Sequence, residues 1–222
     1  MKMKIKRILC LVLSALMIVS VFPVMAGAGT VDEVTFEVVE GTEGVSNENY
    51  PNLIDNKNDT KWCVSNFSSA YIIIKASEAV AVSGYSITTG NDSARNWGRN
   101  PRDWKLYGSN NYNSVSGEGT WTLIHEVEND ILLPAKNTAT VGYAFDTTAE
   151  YKYFKLYISE NHTEGTGADC MQMSEFKLTD CSHTWSGETE LTTSVNSVEH
   201  DVYKVNYCTS CYGIKTYEYL RT

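Results

Sequence analysis

The chain has 222 residues, enough for one ordinary domain and a small addition. Its 18 Lys and Arg against 27 Asp and Glu give a net charge of −9, which argues against nucleic acid and anionic membranes as partners. Cations and neutral ligands such as sugars remain compatible with it.

The first 28 residues read as a secretory signal peptide. Lys2, Lys4, Lys6 and Arg7 form a basic start, residues 8–24 are apolar, and Ala26-Gly27-Ala28 offers a small-residue cleavage site. Cys10 lies at the start of the apolar run, so a lipid anchor is not expected there. Removal of this segment leaves 14 basic residues against the same 27 acidic ones, a net charge near −13. A secreted protein, extracellular or at a cell surface, is the expectation.

The stretch from Asn52 to Trp62 is an oxygen-rich turn that runs straight into an apolar strand. Asp55 and Thr60 offer hard oxygen ligands of the kind calcium takes. An EF-hand needs Asp or Asn at its third position, Gly at its sixth and Glu at its twelfth. Here those positions hold Lys57, Thr60 and Asn66, so that motif is absent. A solvated turn between strands is the alternative.

Short β-rich segments follow at residues 35–39, 70–74, 79–87, 104–107, 121–127, 140–145 and 151–158, separated by turns such as Gly108-Ser109-Asn110-Asn111. This spacing predicts an all-β sandwich. The aromatic residues on these strands are expected in the core, and those in loops are the candidates for ligand contact. After Asp180 the composition shifts. Residues 181–222 are too few for a core of their own and need a staple, and Cys181, His183, Cys208 and Cys211 are the residues to supply one. No nucleophile elbow, His-Glu-x-x-His or phosphate loop occurs, so catalysis is not expected.

Three stretches, taken in order, carry a likeness. They are Asn52-Leu53-Ile54-Asp55 through Thr60-Lys61-Trp62; Thr89-Gly90-Asn91-Asp92 with Arg99 to Ser109; and Tyr153-Phe154-Lys155-Leu156 with Gln172-Met173-Ser174-Glu175-Phe176. Over residues 33–180 the chain resembles the discoidin-type domains, the fold of coagulation-factor C-domains and of family 32 carbohydrate-binding modules. The resemblance implies a jelly-roll β-sandwich, with a small Cys/His β-hairpin module after it. It also implies a structural calcium ion held by Asp55, Thr60, Glu175 and carbonyls of Asn52 and Asn58, tying the first turn to the last strand.

Sugar-binding members use loops at one end of the sandwich, with an aromatic face against the ring and polar groups on the hydroxyls. The matching residues here are Phe67, Asn91, Arg95, Trp97, Arg99 and His162. Trp97 is the candidate platform, and for Arg99 a framework ion pair is the competing role. A carbohydrate is thus the expected partner, with a cell-surface protein as the alternative. Membrane binding would need apolar loop tips with basic neighbours, against which the acidic surface works, and is not expected.

Five cysteines remain after the signal peptide. If Cys181, His183, Cys208 and Cys211 form a tetrahedral zinc site, Cys63 and Cys170 are left, and the implied calcium site would bring their strands together to pair. The rival is a disulfide within the tail, since secretion favours oxidation. The tail also resembles short Cys-x-His-x-Trp … Cys-x-x-Cys modules of bacterial surface proteins, departing from them where Tyr212 replaces the usual glycine.

Overall fold

A computed structural model describes residues 33–147, 149–194 and 200–221. The signal segment lies outside these residues. No helix among them is long and apolar enough to cross a membrane.

The molecule is a β-sandwich with two facing sheets. The first has the order β1-β3-β8-β5-β6, formed by Phe36–Gly41, Ala70–Ala81, Glu150–Asn161, Pro101–Ser109 and Thr122–Val127. In the second, β10 (Glu175–Thr179), β4 (Gly84–Thr88) and β7 (Thr140–Ala144) continue into β13 (Ile214–Arg221), β12 (His200–Tyr207) and β11 (Thr189–Ser194). A separate ribbon pairs β2 (Trp62–Ser65) with β9 (Cys170–Met173).

Strand alternation builds the core. Ile72, Ile74 and Ala76 of β3 and Phe154, Leu156 and Ile158 of β8 point inward and are almost fully buried, beside Trp62, Trp104, Tyr85, Ile87 and Phe176. Where the sequence suggests a break near Ser77, β3 instead runs on to Ala81, absorbing the irregularity as a register shift between Lys75 and Val80. The indole nitrogens of the two buried core tryptophans find partners. Trp104 Nε1 donates to the Tyr85 hydroxyl at 2.6 Å, and Trp62 Nε1 donates to the Thr42 carbonyl at 2.9 Å.

Two expectations need correction. Not every strand aromatic is core: the same alternation that buries Phe154 and Leu156 turns Tyr153 and Tyr157 to the other face of the sheet, alongside Tyr71 and Tyr107. The tail is also more than a hairpin. It forms three antiparallel strands, and β13 joins the sandwich through a parallel contact of Ile214 with Tyr143. Tyr217 of β13 donates a hydrogen bond to the buried Asp130 at 3.3 Å, and Lys215 pairs with Asp146.

Candidate functional site

The oxygen-rich turn is built by a short 3-10 helix, Tyr50–Ile54, capped at its end by Asp55. Asn56 then adopts φ of 60°, a left-handed conformation that asparagine tolerates, and this reverses the chain. The Lys57 amide consequently points back and donates to Asp55 Oδ1 at 2.9 Å and to Glu175 Oε1 at 2.8 Å. Two carboxylates 120 residues apart in sequence thus meet at one amide. Thr60 Oγ1 lies 2.9 and 3.1 Å from the Asp55 carboxylate oxygens and 2.9 Å from the Lys57 carbonyl. Oxygen atoms outnumber protons here. Burial, and then the Asp55 carboxylate beside it, pushes the Glu175 carboxyl up to about 7. Such a donor set suits a hard cation.

The other expected residues of this turn make contacts of their own. The Asn52 side chain clamps the base of the turn, donating to the carbonyls of Asn47 and Lys61 at 2.9 and 2.8 Å. The Asn58 carbonyl accepts from the Ser174 hydroxyl at 3.3 Å. The Lys57 carbonyl, which side-chain chemistry alone does not flag, also joins the oxygen cluster.

The loops that carry the expected ligand residues, 63–69, 91–99 and 161–169, do adjoin. The Phe67 amide donates to the Asp169 carbonyl at 3.0 Å, and the Gly98 amide donates to that of Thr166 at 3.0 Å. Gly98 and Gly165 lie face to face. A Cβ on Gly98 would stand 2.5 Å from the Gly165 carbonyl carbon, so neither position has room for a side chain. Trp97 is half-buried and tilts over His162, with ring centroids 5.5 Å apart.

Most of the expected ligand residues at this end also serve the framework. Asn91 donates to the Asp59 carbonyl at 2.7 Å, tying the loop to the cation turn. Arg99 pairs with Asp92 at 3.4 Å, its framework role. Asp92 is the hub, also receiving Lys61 Nζ at 3.0 Å and Gln172 Nε2 at 2.8 Å. Phe67 packs on the core and His162 is buried, its Nδ1 3.2 Å from Glu164 and its Nε2 with no partner among the described residues. Arg95 is exposed, and it and the open side of Trp97 are the groups most available to a ligand.

In the tail, the ligand atoms of Cys181, His183, Cys208 and Cys211 all lie within 4.8 Å of one another and can hold a metal ion. Cys181 Sγ is 3.7 Å from Cys208 Sγ, and Cys211 Sγ is 3.7 Å from His183 Nδ1. A tetrahedral zinc with bonds of about 2.3 Å to sulfur gives sulfur–sulfur edges of about 3.8 Å. A disulfide needs about 2.05 Å. Burial alone would raise the Cys208 thiol, but the Cys211 amide, His183 and the Ser210 amide hold it down to about 5, a ready thiolate. Cys181 is pushed the other way, to about 12, by burial and by its two thiol neighbours.

The expected pairing of Cys63 with Cys170 is not formed. Their strands are adjacent, but the register sets Cys63 opposite Gln172 and Cys170 opposite Ser65. The two thiols are therefore diagonal neighbours, a spacing of about 7–8 Å between such positions, and both are free. Burial first, and then Cys170, pushes the Cys63 thiol up to about 12.

Comparison with known proteins gives two findings. The family model for the F5/8 type C domain matches residues 38–176. Among solved structures the chain is similar to CBM32-3 from a family 31 glycoside hydrolase of Clostridium perfringens, with 15% identity and a TM-score of 0.52 over 69% of this chain and 95% of that one. It is likewise similar to the family 32 carbohydrate-binding module of Streptococcus pneumoniae EndoD, with 17% identity and a TM-score of 0.50 over 66% and 96% of the two chains. No curated protein matches the chain.

Proposed function

Because the chain belongs to the F5/8 type C domain family, we propose that it is a secreted, non-catalytic protein that binds a carbohydrate through the loop end of its sandwich. The observation that carries this reading is Trp97, propped on His162 where three loops meet, with the exposed Arg95 two residues away. A ring face for sugar C–H groups beside a free guanidinium for hydroxyls is the chemistry that saccharides need. The solved relatives are named as carbohydrate-binding modules, which supports the same reading.

Two metals complete it. Asp55, Thr60, Glu175 and the Lys57 carbonyl would hold calcium as a structural tie, and Cys181, His183, Cys208 and Cys211 would hold zinc. Calcium here supplies charge balance for the facing carboxylates, and zinc supplies the staple that the short tail lacks.

The test is a glycan array probed with residues 29–222 in calcium, alongside Trp97→Ala. Binding that drops at least about tenfold in the variant supports the loop site. A second reading, docking of a cell-surface protein, draws on the engagement of Asn91, Arg99, His162 and Phe67 in the framework. It predicts a blank array together with a partner captured from the organism's own surface.

A further inference from the structure

The outer face of the five-stranded sheet carries side chains that neither the core nor the loop site uses. One register row runs Tyr71, Tyr157, Lys105 and Glu126 across β3, β8, β5 and β6. The next runs Glu40, Ile73, Lys155 and Tyr107 from β1 to β5. Over these rows lie two hollows of about 290 and 240 Å³ that share Tyr157. Tyr71, Tyr112, Trp121 and Lys155 help to line the first, and Asp103, Lys105, Glu126 and Glu128 the second.

The first hollow is organised. Glu40 accepts hydrogen bonds from the hydroxyls of Tyr71, at 2.6 Å, and of Tyr112. Lys155 Nζ sits 4.6 Å from the Trp121 ring centre and 5.1 Å from that of Tyr107. Tyr112 packs on Trp121 and edge-on to Tyr153. Tyr71, Trp121 and Tyr157 are half-buried and line the hollow as one group with the buried Tyr112. Ring faces interleaved with groups that accept and donate hydrogen bonds match a pyranose, with its apolar faces and its rim of hydroxyls. The lining holds four carboxylates, Glu40, Asp103, Glu126 and Glu128, against two ammonium groups, Lys105 and Lys155, and the whole chain is acidic. A polyanion is repelled. Two hollows that share Tyr157 as a wall suit a ligand longer than one ring.

We propose that this groove is a second saccharide site, separate from the loop end, that takes an uncharged oligosaccharide of at least two residues across β3, β8 and β5. It rests on the carbohydrate reading but uses none of the loop residues.

The test titrates the full mature chain with uncharged hexasaccharides (maltohexaose, cellohexaose, mannohexaose and a neutral N-acetyllactosamine oligomer) and with the matching monosaccharides. The expected result is tighter binding of one hexasaccharide than of its monomer, weakened about tenfold by Trp121→Ala and retained in Trp97→Ala. Trp121→Phe, which keeps a ring over Lys155, should retain most of the affinity. If Trp121→Ala does not fold, Tyr157→Ala, at the junction of the hollows, gives the same reading. Binding lost in Trp97→Ala and unchanged in Trp121→Ala and Tyr157→Ala overturns the groove and keeps the loop site. Binding retained in Trp97→Ala but lost in Trp121→Ala is the expected pattern, places the hexasaccharide in the groove, and leaves the loop site to the glycan-array test. No binding of any hexasaccharide overturns the groove outright.

Discussion

His183 Nε2 stands 2.8 Å from the carbonyl oxygen of Ser83, and its Nδ1 faces Cys211. A carbonyl accepts only, so Nε2 carries the proton and Nδ1 is left free as a ligand. Ser83 also grips Cys181 twice: its hydroxyl accepts from the Cys181 amide at 2.7 Å and lies 3.1 Å from the Cys181 carbonyl. One residue between β3 and β4 therefore positions two of the four donors.

Metal analysis of the purified chain should find one zinc per molecule. Cys211→Ser should lower zinc affinity by at least about tenfold, and a strong zinc chelator should lower the melting temperature of the parent but not of the variant. Loss of tail thiols to disulfide with no zinc present would refute the assignment.

Calcium should stabilise the sandwich. With a dissociation constant of about 10⁻⁴ M, as in other extracellular modules, 10 mM calcium contributes ~2.7 kcal/mol and about 5–10 °C in melting temperature. Glu175→Gln should abolish that increment. An identical melt in calcium and in a calcium chelator would refute it.

Acid should weaken the fold through His125. Trp104 donates to the Tyr85 hydroxyl, which lies 2.9 Å from His125 Nδ1 and needs that nitrogen unprotonated. Burial pushes His125 down to about 4 from its ordinary 6.5. Below pH 6.5 the unfolded chain takes up a proton that the folded chain refuses. The contribution, on the order of 2 kcal/mol, is therefore complete above pH 6.5 and is lost as pH falls towards 4. Denaturant midpoints across this window should fall for the parent and fall less for His125→Gln.

Tyr212 has φ of 60° and is largely exposed. Tyr212→Gly should stabilise the tail by about 1 kcal/mol without changing its zinc content, read from thermal melts of the metal-loaded protein.

How much of this was legible beforehand depended on distance along the chain. Alternation in segments such as 151–158 revealed strands and hence a sandwich, because the period is local. It did not reveal that Tyr157 would face away from the core, since both faces of β8 carry large side chains. Asp55 stood out by its turn chemistry, but its meeting with Glu175 was available only through the family likeness, being a long-range contact. The Lys57 carbonyl carries no side-chain signal at all. The Cys63–Cys170 pairing failed on register, which sets Cys63 opposite Gln172 and which the cysteine positions alone do not disclose. The four tail donors were found because two of them share a Cys-x-x-Cys and two a Cys-x-His.

The tail cluster also has a mechanical meaning. Cys181 follows the end of β10 by two residues, and Cys211 precedes β13 by three. With a metal bound, tension on β13 would pass from Cys211 through the ion to Cys181 and into the sandwich. β12, hydrogen-bonded to β13 over six registered pairs, would share that load. Cys181 and Cys208 lie 27 positions apart in the chain, so the ion would close a stretch that strand pairing alone otherwise holds. The tail would act as a shackle whose pin is the metal.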